Sequence, residues 1–483
     1  MNFLMPPFHR LFARLPVIST MPIMIRPLAG HLRSAATLLL ALLVLSSTVV
    51  RSYAQNIPVV RDAEIEALVA DYARPIFKAA GLSKSGIDII LVNEASFNAF
   101  VAGRRMFINT GALLQAETPN EIIGVIAHEA GHIAGGHQDR LRQQLARAQT
   151  MTVIATLLGV GAIVGGAAAN QSGLAQAGAG IAAGGSEFAR RGLLGYQRSE
   201  ESTADRSAMS YLEATGQSAK GMLVTFGRFQ NALSLSGARV DPYQVSHPMP
   251  RDRIANLEQL AKQSPYYDRK DSEALQLRHD MMRAKIAVYM KGQSAATRLF
   301  RNAPKGLAAK YGDAQATYLF GNPKTALKKA DALLEAQPNN PYFHELRGDI
   351  LLRANRPAEA AQAYARAVKL DPAKSGILPI AYGQALIATG KPEELKQAVT
   401  EIKRGLGRDK ENFNGYAYLS QAYNQLGQVA DAELATAEGY YYSGNYQQAK
   451  IFAMRAQQKM KRGSPAWVRA QDIVNHKAPK KKN

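Results

Sequence analysis

A 34-residue period in the second half of the chain limits the possible fold more than any other feature. Pro338 and Pro372 stand 34 residues apart, and so do Ala326 and Ala360. Within the cleanest copy Gly348, Ala360, Tyr364, Ala367 and Pro372 supply, in order, two small residues, an aromatic, a small residue and a helix stop. Weaker copies run over Tyr382 to Leu406, over Tyr416 to Thr436, where Tyr423, Gly427 and Ala432 fit, and over Glu438 to Gln458, with Gly444, Ala449, Ala453 and Ala456. A helix pair with this spacing buries its apolar face only against its neighbours, so the copies stack into a curved array with a concave binding surface. Residues 265–470 are expected to form this α-solenoid. The remaining 471–483, with Lys477, Lys480, Lys481 and Lys482, read as a solvated basic tail.

The occupants of the period match the tetratricopeptide pattern. Hydrophobic residues make up 47% and charged residues 20% of the chain, ordinary globular usage that excludes a mainly disordered, collagen-like or polytopic membrane protein. A net charge of +21 suits anionic partners, and with no recognisable nucleic-acid module a membrane surface is expected rather than nucleic acid. Cysteine is absent, so disulfides, thiol catalysis and thiolate metal sites are excluded. At the amino terminus, basic residues Arg26, His31 and Arg33 precede an uncharged stretch centred on Leu38 to Leu45, and Ser52-Tyr53-Ala54 follows with small residues at the −3 and −1 positions. That order is a secretory signal peptide over 1–54, cleaved after Ala54, with translation starting at Met1 or at Met21 or Met24. A periplasmic location follows.

Between the leader and the array, residues from about Asn56 to Leu82 have helical spacing and Ile87 to Val92 is a β-rich run. The segment Phe100 to Asn109 reads as strand, turn and strand. Thr118, Pro119 and Glu121 then announce a helix, as cap, first helical residue and capping-box partner. A nearly continuous apolar stretch from Met151 to Ala169 continues Gly/Ala-rich toward Gly185. Its glycines weaken it as a span, so 151–185 is expected to be an apolar helical hairpin beside the site or dipping into a bilayer face.

The announced helix contains His128-Glu129-Ala130-Gly131-His132. At i and i+4 both imidazoles project from one helical face and can bind one zinc ion, while Glu129, about 100° round, can accept a proton from the attacking water. Ile122, Ile123, Val125 and Ile126 make this a buried helix, where two histidines and a glutamate need partners. A third protein ligand is required. The extended all-histidine motif would need histidine at 138, which is Gln138; His137 misses by one residue and points off the metal-facing side, so it is expected to be structural or to support a ligand from behind, and a glutamate is expected as the third ligand. Glu201 and Asp205 stand at i and i+4, placing a ligand and a carboxylate for a histidine N–H on one face. Glu200 competes for the ligand role, but its i+4 partner is Ala204. The Met106 to Asn109 strand is expected to pair with an extended substrate.

His128-Glu129-x-x-His132, Glu201-x-x-x-Asp205 and His247-Pro248 resemble the gluzincin peptidases related to the heat-shock protease HtpX and the CaaX prenyl proteases. The leader and the repeats narrow the resemblance to the periplasmic, repeat-bearing branch found in Gram-negative bacteria. It implies a mainly helical zinc metallopeptidase domain with a small β-sheet over 55–264, one zinc per chain on His128, His132 and Glu201, and an endopeptidase acting on unfolded or misassembled outer-membrane β-barrel proteins near the barrel-assembly machinery. It also implies that His247 lies on a loop over the site and occupies the open metal position in a latent state, with Arg253 matching the arginine that follows. His247 or Arg253 would then steady the oxyanion. Two rival classes are a chaperone or scaffold acting mainly through its repeats, and an integral membrane metalloprotease anchored by 151–169.

Overall fold

The computed structural model describes residues 58–168, 172–235, 247 and 251–477. The expected signal peptide lies outside them, as do the lysines at 480–482. The first half is built on a four-stranded sheet of order β1-β2-β4-β3, with β1 (Val59–Val60), β2 (Asp88–Val92), β3 (Ala99–Ala102) and β4 (Arg105–Asn109). β2 and β4 run parallel, while β1 and β3 pair antiparallel with them on either side. Phe100 opposes Phe107 in the β3–β4 register, their rings stacked 4.8 Å apart. Two expectations are corrected here. The helix read from Asn56 onward begins only at Ala63, because Val59–Val60 pairs as a strand with Leu91 and Val92 and Asp62 caps the helix by accepting from Ile65 N. The Met106 to Asn109 strand is flanked on both sides by β2 and β3, so its main chain has no edge to offer; the edges are β1 and β3.

α1 (Ala63–Ala79) lays Leu68, Tyr72 and Ile76 into one core with Met106 and Ile108 of β4. After the short α2 (Thr110–Gln115), α3 (Pro119–Gly135) enters the same core with Ile122, Ile123 and Ile126. Burying such side chains stabilises by about 2 kcal/mol each. Glu121 Oε1 accepts from Thr118 N at 3.2 Å and Glu117 N at 2.8 Å, which closes the start of α3. Gly136, with φ of 66°, ends it in the left-handed region that favours glycine. The chain then runs straight into α4 (His137–Ala168), which packs along α5 (Ser172–Ala214) as a long hairpin. α6 (Lys220–Leu235) and α7 (Arg251–Gln263) complete this half. Among the described residues no helix is long and apolar enough to cross a membrane.

From α8 (Glu273–Lys291) and the short α9 (Ala295–Leu299) the chain continues as a helical array. Its pairs are α10 (Leu307–Phe320) with α11 (Pro323–Ala336), then α12 (Pro341–Arg353) with α13 (Pro357–Leu370), then α14 (Ile377–Thr389) with α15 (Pro392–Leu406). α16 (Phe413–Gln425) with α17 (Val429–Tyr442) and α18 (Tyr446–Gln457) with α19 (Pro465–Asn475) follow. The clean copy explains its own pattern. A Cβ at Gly348 would come within 2.8 Å of the Tyr364 ring, so the small residue and the aromatic are two halves of one contact between α12 and α13.

α8 belongs to both halves: Met282, Ile286 and Ala287 pack in the first core and Met281 in the array's. Buried Lys285 lies 2.6 Å from Asp62 and 3.4 Å from Glu64, and Tyr311 donates to Glu64 at 2.7 Å, so the start of α1 is tied to α8 and α10. Arg61–Asp409 at 2.9 Å and Arg105–Glu411 at 2.8 Å extend the contact to the loop before α16. His279 is fully buried; its Nε2 donates to Ala116 O at 2.9 Å, and Nδ1 accepts from Tyr72 Oη at 3.0 Å. Burial lowers its pKa to about 4. The folded state thus excludes a proton that the unfolded chain takes up near 6.5, and stability present above that pH is lost as pH falls toward 4. The loss reaches about 3 kcal/mol. Denaturant unfolding of His279→Gln beside the parent should show the parent's advantage at pH 7 disappearing below pH 5; an unchanged gap would contradict this.

Candidate metal centre

Two helices supply the site. His128, Glu129 and His132 come from α3, and Glu201 and Asp205 from α5. The helices come close because of Gly131: a Cβ there would lie 2.9 Å from Ala204 O and 3.0 Å from its Cα. A larger residue would force the helices apart and draw Glu201 away from the imidazoles. His247 reaches the same point, and all six of these side chains are buried.

The four side chains His128, His132, Glu201 and His247 converge so that their donor atoms lie within 4.8 Å of one another. His128 Nε2 is 3.1 Å from His132 Nε2, 3.3 Å from His247 Nδ1 and 3.3 Å from Glu201 Oε2. Glu201 Oε1 is 3.1 Å from His247 Nδ1 and 3.4 Å from His132 Nε2. Donors bound tetrahedrally at about 2.0–2.1 Å lie about 3.3–3.4 Å apart. The residues therefore fit a small divalent cation in both donor type and spacing.

Asp205 Oδ1 stands 3.0 Å from His128 Nδ1, on the side away from the other donors. Arg253 binds Asp205 with Nε and with a second nitrogen at 2.7 Å, and reaches Glu201 Oε2 at 2.9 Å. Its guanidinium faces these two carboxylates and the Phe226 ring, 5.4 Å away. The fields follow. Burial alone would make His128 a weaker base, but hydrogen bonds to Asp205 and Glu201 reverse this and lift it to about 9. Burial lowers His132 to about 4. Burial works against the charge on Glu201, and hydrogen bonds from His128, His132 and His247 outweigh it, holding that carboxyl below the usual range. Asp205 is likewise held low against burial by Arg253 and His128. Glu129 is pushed up by burial; its Oε1 stands 3.4 Å from His247 Nε2, and Oε2 has no hydrogen-bond partner among the described residues.

Behind His132 a second chain of contacts runs through His137, with partners that the sequence did not make legible. His137 Nδ1 is 2.8 Å from His132 Nδ1, and His137 Nε2 is 3.0 Å from Glu200, which Arg140 also holds at 2.6 Å. Glu200 is thus turned away from the cluster toward His137. The adjacent Gln138 accepts from Gly103 N at 2.9 Å and ties α4 to the β3–β4 turn. A cavity of about 160 Å³ opens between the cluster and the sheet edge, lined by Phe100, Val101, Glu129, His132, Leu141 and Tyr196.

Residues 60–261 match the model of peptidase family M48, and residues 314–375 that of a tetratricopeptide repeat. These residues carry an M48 metallopeptidase domain followed by tetratricopeptide repeats. Across 424 residues the chain is 26% identical to the Beta-barrel assembly-enhancing protease of Escherichia coli (strain K12), spanning 86% of this chain and 83% of that one. It is 25% identical over 436 residues to the Putative beta-barrel assembly-enhancing protease of Vibrio cholerae serotype O1, spanning 88% and 87%. It is 30% identical over 184 residues to the Metalloprotease YcaL of Escherichia coli (strain K12), spanning 38% and 66%. The cluster able to hold a metal falls inside the M48 domain, and the sheet edge borders its cleft.

A histidine that binds metal through one nitrogen is oriented by the partner of the other, and loss of that partner typically costs ten- to a hundredfold in affinity. His137→Ala is expected to weaken divalent metal binding to the M48 domain by about that factor, read by competition with a chromophoric chelator. Parental affinity would show that His137 plays no part in orienting His132.

Proposed function

We propose that the chain is a zinc endopeptidase of the periplasm that acts on unfolded or misassembled outer-membrane β-barrel proteins, in company with the barrel-assembly machinery. The observation that carries this is the tetrahedral spacing of His128, His132, Glu201 and His247 beside the buried carboxylate of Glu129. The names of the full-length relatives, which share both halves of the chain, support the substrate class. The basic, apolar and small-residue order of 1–54 suits an exported chain.

In this reading His128, His132 and Glu201 are the permanent ligands. Held by these residues, zinc would supply Lewis acidity for a peptide carbonyl and a more acidic water near neutral pH. Glu129, raised by burial, takes the proton from that water and returns it to the departing amine. Asp205 fixes the ring of His128, and Arg253 orients Asp205 and Glu201. His247 fills the space between Glu201 and Glu129, so hydrolysis would need it to move aside, and its presence there favours a resting form of low activity.

An extended substrate pairs along the free edge of β3, which lines the cleft through Phe100 and Val101. Val101→Pro removes a donor from that edge; cleavage of an extended peptide should fall about tenfold or more in kcat/KM with metal content unchanged. Unaltered kinetics would move substrate binding elsewhere. The central test is Glu129→Gln. The variant should retain one zinc per chain and lose hydrolysis of unfolded barrel protein by about a thousandfold or more, as a chelator does to the parent. Hydrolysis surviving in the zinc-loaded variant would sink the reading.

A further inference from the structure

The described surface holds one concentration of exposed aliphatic side chains. Met151, Val153, Ile154, Leu157, Leu158 and Val160 fall within ten residues of α4, with Leu157 67% and Leu158 62% exposed. Other large apolar residues on the surface stand singly or in pairs. The hairpin is uncharged from 148 to 186 and also lacks any aromatic residue there, so it offers none of the aromatic or arginine anchors on which protein interfaces are built. Charge resumes at its base with a basic excess, in which Glu187 lies 2.6 Å from Arg191 and Asp139 lies 3.5 Å from Arg142. Arg142 and Arg147 are exposed on α4, Arg191 and Arg198 on α5. The contact of Arg140 with Tyr196 at 3.3 Å sets the two helices in register, bringing Arg147 and Arg191 to about the same height, one turn below Met151.

We propose that this part of the α4–α5 hairpin is a membrane-binding element: 151–160 embeds in the headgroup–acyl boundary of a bilayer, and the arginine collar engages anionic lipid headgroups. An exposed aliphatic patch of this size is costly in water, and a bilayer surface covers it without demanding specific side-chain partners. Each collar arginine adds about 1 kcal/mol on an anionic surface and little on a neutral one. The hairpin lies on the bilayer and does not cross it, since no described helix is long and apolar enough to do so. The consequence for the enzyme is positional. Leu141 and Tyr196 at the hairpin's base line the catalytic cleft, so docking would hold that cleft about 15 Å from the lipid surface, facing chains that emerge there. The inference concerns the hairpin's surface and stands apart from the assignment of the metal ligands.

The test uses the chain without residues 1–54, since 58–483 forms a compact unit of its own. It is floated with vesicles of phosphatidylcholine alone or mixed with phosphatidylglycerol. Flotation with the mixed vesicles, weakened by salt, is expected. Leu157→Glu combined with Leu158→Glu should cut the vesicle-bound fraction by about tenfold or more while metal content and cleavage of a soluble peptide stay at the parental level. Arg142→Glu with Arg147→Glu should abolish only the preference for the anionic lipid. Because the chain has no cysteine, Leu157→Cys takes a single polarity-sensitive dye, whose emission should shift to the blue on adding mixed vesicles. Parental flotation by the double glutamate variant would overturn the proposal. So would a dye that ignores vesicles, or one that responds instead to self-association or to unfolded barrel protein.

Discussion

Burying Glu201 and Asp205 against His128 at the crossing of two helices is the constraint on which the rest of the structure depends. Each of these charges loses its hydration, a cost of several kcal/mol that only an opposite charge in good geometry offsets. Arg253 and His128 offset Asp205, and Arg253 with the three imidazoles offsets Glu201. This explains why the surroundings are so stiff. α3 is capped at its start and packed with isoleucine, and Gly131 removes the one Cβ that would hold α5 off. Loosening any of these would leave an unpaired carboxylate in the core.

What could be read from the sequence was what depends on local spacing. The i, i+4 pairs His128/His132 and Glu201/Asp205 show their faces in the chain itself, because a helix fixes where its fourth neighbour points. The same is true of Gly348 and Tyr364, whose contact recurs at the repeat period. What failed depends on long-range pairing. Met106 to Asn109 has a good strand pattern, but whether a strand is an edge depends on its neighbours, and β2 and β3 enclose it. Val59–Val60 is too short to stand out from the helix that follows, and becomes a strand only against Leu91 and Val92. Glu200 turns to His137 and Arg140 because α4 runs directly on from α3, which no periodicity reveals.

The two halves of the chain are mechanically one. Lys285, Asp62, Glu64 and Tyr311 form a buried polar knot where α1 meets α8 and α10, and His279 fastens α8 to the residues just before the catalytic helix. These contacts fix where the array begins relative to the cleft at β3.

The most direct measurement is X-ray absorption at the zinc edge on the purified protein, together with the metal count. One zinc per chain, with a first shell of four nitrogen and oxygen donors near 2.0–2.1 Å that includes imidazole scattering, is the predicted result, and the imidazole contribution should drop when His247 is replaced by alanine. A shell of six oxygens, or a chain that purifies and cleaves its substrates with no zinc bound, would contradict it.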